Sequence, residues 1–135
     1  MGKLDYLAVA IGGFLGAVTR ALLGKIIPVQ VVSAFPLPTL LINLTGCFML
    51  SFILTLTLKQ FKINANLRLA LGAGYLGAYT TFSTFALEAI NLWRGNLTVL
   101  LLLYLLSTTI GCVLSAWLGF IGGKALSRSF LNSSS

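Results

Sequence analysis

Ionisable residues are scarce in this chain. Only 8% of its 135 residues are charged, and two acids, Asp5 and Glu88, stand against nine lysines and arginines. A soluble domain carries about 25% charged residues. There is no histidine, and the two cysteines, Cys47 and Cys112, fall inside apolar runs. Ligands for a transition metal and a structural disulfide are therefore both unexpected, and the composition predicts a membrane protein.

Several functional classes lack their sequence signals. The chain contains no phosphate-binding loop and no set of nucleophile and base, so an enzyme or an ATP-driven pump is not expected. The net charge of +7 comes from single basic residues at the ends of apolar stretches rather than from a basic patch. Such residues suit anionic lipid headgroups better than nucleic acid. We also expect no cleaved signal peptide, because the first apolar stretch is too long.

Four apolar segments are long enough to cross a bilayer, which requires about 20 residues each. They lie at about residues 4–27, 38–58, 67–93 and 97–121. This predicts a single all-α transmembrane domain over 1–128, with a disordered tail at 129–135. With the N-terminus in the cytoplasm, the basic residues divide six to three in favour of the cytoplasmic side. That moderate bias does not exclude insertion in both orientations.

The third segment contains an unusual run of glycine, hydroxyl and aromatic residues between Gly74 and Phe85. Lipid cannot form hydrogen bonds with a backbone, so irregular backbone at that depth must lie inside protein or beside a polar cavity. We predict that the third helix is broken, with unwinding from Gly77 to Thr80. Broken helices near the membrane midplane are typical of ion sites, and converging carbonyls there would suit Na⁺.

Four short helices fill their own centre with side chains, so a pathway for a solute is expected between subunits. Gly12 and Gly16 in the first segment, and Gly119 and Gly123 near the end of the fourth, have the spacing of close helix contacts. These glycines can pack helices between subunits or within one subunit, and the sequence does not decide between the two.

Two polar residues in the first two segments have alternative interpretations. Asn43 can donate N–H to an anion, or it can form an interhelical hydrogen bond near Thr45 and Gly46. Arg20 can anchor the first helix at the headgroups, or it can raise the concentration of anions at a vestibule.

Further polar and aromatic candidates lie in the last two segments. Tyr104, Thr108 and Cys112 recur every four residues and share a helix face, although hydroxyls in membrane helices also bond to their own backbone. The ring edges of Phe82 and Phe85 carry partial positive charge, which suits a small anion. Glu88 lies near Phe85 on one helix face and can complete a hydrogen-bond network or bind a proton.

These residues resemble a known family. Thr80-Thr81-Phe82-Ser83-Thr84-Phe85, with Asn43-Leu44 in the second segment and the stretch from Gly12-Gly13 to Arg20 in the first, is similar to the Fluc fluoride channels, also called CrcB. The likeness covers about residues 4–126. Ala78 stands where the family usually has a second glycine, and Cys112 stands where it often has serine.

The resemblance implies an antiparallel, dual-topology homodimer in the cell membrane, with two pores through which fluoride leaves the cell passively. It implies a central Na⁺ held by the backbone carbonyls of Gly77 and Thr80. The implied vestibule and network residues are Arg20 and Glu88. The implied pore residues are Asn43, Phe82, Ser83, Thr84, Phe85, Tyr104, Thr108 and Cys112.

Two other classes of function remain as alternatives. Proton-coupled small multidrug exporters are also short four-span dimers, but they depend on a glutamate deep in the first helix, where this chain has only Asp5 at the edge. A structural subunit of a larger membrane complex would use the polar residues for packing alone. Fluoride efflux without proton coupling, from liposomes that hold only this protein, would discriminate against both.

Overall fold

The computed structural model describes residues 3–26, 35–59 and 64–132, except for the side chains of 58, 59 and 130–132. All of its regular structure is helical. In chain order the α-helices are α1 (Lys3–Ile26), α2 (Leu37–Lys59), α3 (Ala65–Leu69), α4 (Gly77–Tyr79), α5 (Phe82–Arg94) and α6 (Thr98–Asn132), with a π-helix at Ala70–Leu76 between α3 and α4.

Three of these helices are long and apolar enough to cross a membrane, within the part of the chain that the structure describes. They are Lys3–Ile26, Leu37–Thr57 and Thr98–Ser129. Many of their large apolar side chains point outward, such as Phe14 on α1 and Val113 on α6. A chain with this outer surface is an integral membrane protein that crosses the bilayer several times.

The third apolar segment is broken, as predicted, but the break lies later than expected. Gly77–Tyr79 is helical, and the helix ends at Thr80 and Thr81, whose backbones are extended with ψ of 156° and 120°. Of the predicted unwinding from Gly77 to Thr80, only the extended backbone at Thr80 is present, and the prediction was wrong for Gly77–Tyr79. The helix persists because both the N–H and the hydroxyl of Thr80 donate to the carbonyl of Leu76, at 3.1 and 3.0 Å.

The paired glycines pack helices within one subunit. A Cβ on Gly12 would collide with the carbonyl oxygen of Ala70, and one on Gly16 would collide with that of Tyr75. Both partners lie in the π-helix, so α1 lies directly against the backbone of the broken segment. Gly119 and Gly123 bring α6 onto α2 in the same way, against the backbone of Phe48 and Phe52.

The last helix is longer than the sequence predicts. α6 runs to Asn132, so the expected domain end at 128 falls inside it and residues 129–132 are helical rather than disordered. The sequence after Ile121 contains no proline to end the helix, and Gly123 and Ser127 are buried. Residues 133–135 of the predicted tail lie outside the described residues.

Two apolar clusters lie on either side of the break. One contains Leu40, Leu92 and Tyr104, and the other contains Ile42, Leu76 and Tyr79. Each cluster includes residues of α2 and of the broken segment. Because Leu40 and Ile42 lie within one turn before Asn43 on α2, this packing holds the polar part of α2 against the break.

Candidate functional site

The break is held open by one side chain of α2. The Nδ2 of Asn43 donates to the carbonyl oxygen of Thr81 at 3.0 Å, and the N–H of Thr81 donates to Oδ1 of Asn43 at 2.8 Å. Asn43 is buried, so both bonds form away from solvent. The interhelical hydrogen bond left open by the sequence is present, and its partner is the backbone of Thr81.

The Asn43–Thr81 pair changes the backbone hydrogen bonds before and after Thr81. In an unbroken helix the N–H of Thr81 would bond to the carbonyl of Gly77, and that of Thr84 to the carbonyl of Thr80. Here the first donates to Asn43 and the second to the hydroxyl of Thr81 at 3.2 Å. The carbonyls of Gly77 and Thr80 are thereby released from the helical ladder, and Thr81 caps the start of α5.

Two cavities meet at this break. The larger, about 700 Å³, is lined by residues that include Arg20, Thr39, Thr81, Thr84 and Glu88. We call it the vestibule cavity. Thr81 is also in the wall of a second cavity, so this residue separates the two.

The second cavity is about 370 Å³, and we call it the inner cavity. It is lined by Asn43, Gly46, Cys47, Leu50, Thr80, Thr81, Phe82, Phe85, Thr108, Thr109 and Cys112. Five of the eight predicted pore residues therefore come together in one place. Ser83, Thr84 and Tyr104 are not in its lining.

A hydrogen-bonded triad joins three helices beside the vestibule cavity. The hydroxyl of Tyr104 donates to Oε2 of Glu88 at 2.7 Å, and the hydroxyl of Thr39 donates to Oε1 of Glu88 at 2.9 Å. Tyr104 is fully buried. The predicted network at Glu88 is therefore present, while Tyr104 contributes to the core and to this triad rather than to the lining of the inner cavity.

The two phenylalanines differ in their surroundings. The ring of Phe85 lies 5.1 Å from that of Tyr104 and 5.8 Å from that of Phe82, measured between centroids. Phe82 is 80% exposed in the single subunit. Its ring thus stands at the open edge of the inner cavity, where another molecule can cover it.

Thr108 lacks a hydrogen-bond partner. It is 6% exposed. Among the residues that the structure describes, its hydroxyl oxygen is the one buried side-chain polar atom that has no hydrogen-bond partner. A buried hydroxyl is normally bonded, and Thr108 lines the inner cavity. The hydroxyl of Thr108 is therefore an unused donor at which a ligand can bind. It does not bond to the backbone of its own helix, which was the alternative interpretation of the α6 hydroxyls.

The remaining predicted residues lie around the break. Arg20 is half-buried in the wall of the vestibule cavity. The hydroxyls of Ser83 and Thr84 both contact that of Thr81, at 3.3 and 2.9 Å.

Sequence reasoning gave no role to Thr39 or to Cys47. Each lies on α2 at a position that only the packing of other helices turns into a site. The one signal in the sequence was a polar residue inside an apolar run, which does not identify its partner.

These features define a class: a multi-pass integral membrane protein with an interrupted helix and adjoining polar cavities inside the span. The family model described as "CrcB-like protein, Camphor Resistance (CrcB)" matches residues 7–120. The chain belongs to this CrcB family, as its resemblance to that family indicated.

Named relatives cover most of the chain. It is 43% identical over 129 residues to "Fluoride-specific ion channel FluC 1" of Moorella thermoacetica, covering 95% of this chain and 92% of that protein. It is 37% identical over 131 residues to the protein of that name from Bacillus cereus, covering 97% and 96%. It is 39% identical over 118 residues to "Fluoride-specific ion channel FluC" of Magnetococcus marinus, covering 87% and 96%.

Proposed function

We propose that this protein is a fluoride-selective channel, through which cytoplasmic fluoride leaves the cell down its electrochemical gradient and which thereby confers resistance to fluoride. The proposal involves transport and no catalysis. Membership of the CrcB family and the names of the relatives support it. They do not favour a proton-coupled multidrug exporter.

The single observation that carries the proposal is the position of Thr81 in the wall of both cavities. An anion that enters the vestibule cavity beside Arg20 has the hydroxyls of Thr81 and Thr84 next to it. Beyond Thr81 lies the inner cavity, with the unpartnered hydroxyl of Thr108. The route therefore replaces water by protein donors in steps.

Fluoride is small and strongly hydrated, so its dehydration requires several donors at close range. Asn43 has a carboxamide with two N–H groups, one of which bonds to Thr81. The first N–H groups of α5, at Phe82 and Ser83, belong to a helix start and favour negative charge. The ring edges of Phe82 and Phe85 add weak positive charge at the inner cavity.

The assembly we propose is an antiparallel, dual-topology homodimer of four-span subunits in the cell membrane, with two pores. In each subunit α3, the π-helix, α4 and α5 would together make the third crossing. Exposure of Phe82 and of Gly77 beside the break supports a partner on this face. Reaction of single engineered cysteines with impermeant thiol reagents from each side of the membrane tests the dual orientation.

We also propose that Na⁺ is held at the dimer centre by the carbonyls of Gly77 and Thr80. The donor set fits a hard monovalent cation, because both carbonyls are released from the helical ladder by Asn43 and Thr81. Bound there, Na⁺ would supply positive charge that offsets the repulsion between carbonyl dipoles of the two subunits.

Efflux from liposomes tests the proposed function. Purified protein is reconstituted into vesicles loaded with potassium fluoride, a potassium ionophore is added, and external fluoride is followed with an electrode. We expect fast fluoride efflux and little chloride efflux in matched vesicles, without dependence on a proton gradient. Efflux no faster than from protein-free vesicles would refute the proposal.

A further inference from the structure

Two thiols meet in the inner cavity. Cys47 of α2 and Cys112 of α6 both line it, and both are free and half-buried. A thiol is a weak hydrogen-bond donor compared with a hydroxyl or an amide. Transfer of an anion between donors therefore gives no reason for a pair of thiols at this point.

The packing of α2 on α6 brings the two thiols to one cavity. A Cβ on Gly111 would lie 2.7 Å from Cδ2 of Leu44, and one on Gly119 would collide with the carbonyl oxygen of Phe48. Leu44 and Phe48 flank Cys47 in the sequence, while Gly111 directly precedes Cys112. The helices thus touch next to the two cysteines, so both thiols lie in the wall of one cavity beside a fixed contact between α2 and α6.

The inner cavity also has room and an unsatisfied group beside the thiols. Its volume is about 370 Å³, and the buried hydroxyl of Thr108, one turn before Cys112 on α6, has no partner among the described residues. This hydroxyl is a second, independent sign that the cavity accommodates a ligand next to the thiols.

Two thiols restrict the kind of ligand. Thiolates are soft ligands that select soft metal ions. The described residues contain no group of three or more histidine, cysteine or acidic side chains, so a tetrahedral ion such as Zn²⁺ lacks ligands. A soft divalent ion that is satisfied by two thiolates forms a neutral complex, which avoids an uncompensated charge in the apolar span.

We propose that Cys47 and Cys112 form a two-thiolate site for a soft divalent metal ion of the mercuric type, and that the bound ion closes the inner cavity. On binding, two S–H bonds break, two metal–sulfur bonds form and two protons pass to water, with nothing oxidised or reduced. The closing of a fluoride route rests on the proposed function, whereas the metal site does not.

Titration of the purified full-length protein with Hg²⁺ tests the site without any measurement of transport. We expect one Hg²⁺ per chain to remove both thiols from reaction with a thiol reagent. We also expect the wild-type complex to need about 100-fold more competing monothiol for its release than Cys47→Ser or Cys112→Ser, because the second thiolate binds intramolecularly. Uptake of two ions per chain, or equal competition in all three proteins, would overturn the site.

Fluoride efflux then tests the obstruction. One equivalent of Hg²⁺ should abolish at least about nine-tenths of wild-type efflux, which corresponds to a tenfold change. The double variant Cys47→Ser/Cys112→Ser, compared with its own untreated rate, should not respond. A complex of one ion per chain that leaves efflux unchanged would overturn the obstruction. If untreated protein conducts no fluoride, the proposed function fails, and the titration alone still decides the site.

Discussion

Asn43 binds both backbone groups of Thr81, with its Nδ2 3.0 Å from the carbonyl oxygen and its Oδ1 2.8 Å from the backbone nitrogen. One buried side chain of α2 thereby takes the N–H of Thr81, which an unbroken helix would bond within itself, and also donates to the carbonyl oxygen of the same residue. The pair connects the fold to the proposed function, because it holds the backbone apart at the residue that lies between the two cavities.

Replacement of Asn43 by alanine should destabilise the protein and stop conduction. The N–H of Thr81 would lose its partner, while its carbonyl would keep the first bond of α5. A buried unsatisfied group costs about 1 to 3 kcal/mol, so the free energy of unfolding should fall by about that amount. Thermal unfolding in detergent and fluoride efflux from liposomes measure the two effects.

Asn43→Asp separates the two roles of this residue. One carboxylate oxygen can still accept the N–H of Thr81, but the other would face the carbonyl oxygen of Thr81, where Nδ2 donates now. We expect fluoride efflux to fall by more than about tenfold, since repulsion and an added negative charge both oppose an anion. Asn66→Ala in α3 is the control, and wild-type efflux in Asn43→Asp would leave Asn43 with a packing role.

Removal of the ring edges should depress efflux at both phenylalanines, with different effects on stability. Phe85→Ile loses its contact with Tyr104, whose ring centroid lies 5.1 Å away, and should lose both stability and flux. Phe82 is 80% exposed in the single subunit, so Phe82→Ile should reduce efflux by about tenfold with little change in the unfolding temperature of the subunit.

Phe14→Ile on α1 is the matched control, because Phe14 is 70% exposed and lies outside both cavities. Its efflux should equal that of the wild type. If Phe82→Ile also conducts at the wild-type rate while the dimer persists, the ring at position 82 has no part in permeation.

The sequence predicts the first two long helices well because their signal is local. An uninterrupted apolar run is sufficient to identify α1 and α2, whose predicted bounds differ from the observed ones by one residue at each end. The break was also predicted from local composition, since glycine and hydroxyl residues are concentrated there. Its position was not, because the helix ends where Asn43, thirty-eight positions away along the chain, takes the backbone groups of Thr81.

In the candidate site, too, the sequence indicates single polar residues but not the partners that other helices bring to them. Glu88 was expected to complete a network, and the structure supplies its partners as Thr39 and Tyr104. Thr39 could not be identified beforehand, because its role depends on how α2 meets α5. Cys47 is similar: alone it is a cysteine in an apolar helix, and only the approach of α6 makes it one of a pair.

Gly12→Ala and Gly16→Ala should destabilise the protein. Each added methyl group would collide with a carbonyl oxygen of the π-helix, at Ala70 or Tyr75, and overpacking of this kind costs about 1 to 3 kcal/mol. Gly24→Ala is a control of opposite sign: its Cβ would meet nothing within 4 Å, and alanine favours a helix by about 0.5 to 1 kcal/mol. Thermal unfolding of the three variants should place Gly24→Ala at or above the wild type, and equal loss in all three would contradict the packing of α1.

Tyr104→Phe tests whether the triad at Glu88 serves transport as well as the fold. The substitution removes the bond to Oε2 of Glu88, 2.7 Å long, and keeps the ring against Phe35 and Phe85. A typical buried hydrogen bond contributes about 0.5 to 1.5 kcal/mol, so the fold should survive. Fluoride efflux should fall by about tenfold, because the carboxyl group beside the vestibule cavity loses the donor that fixes it.

Tyr79→Phe is the matched control for Tyr104→Phe. It also removes one tyrosine hydroxyl bond, to Thr45 at 2.9 Å, and keeps a stacked ring, that of Tyr75. Tyr79 lies in the other apolar cluster and outside the linings of the vestibule and inner cavities. Its stability loss should therefore match that of Tyr104→Phe while its efflux stays at the wild-type rate. If the two variants lose efflux equally, the effect comes from weakened packing in general, and the position of Glu88 is not what conduction requires.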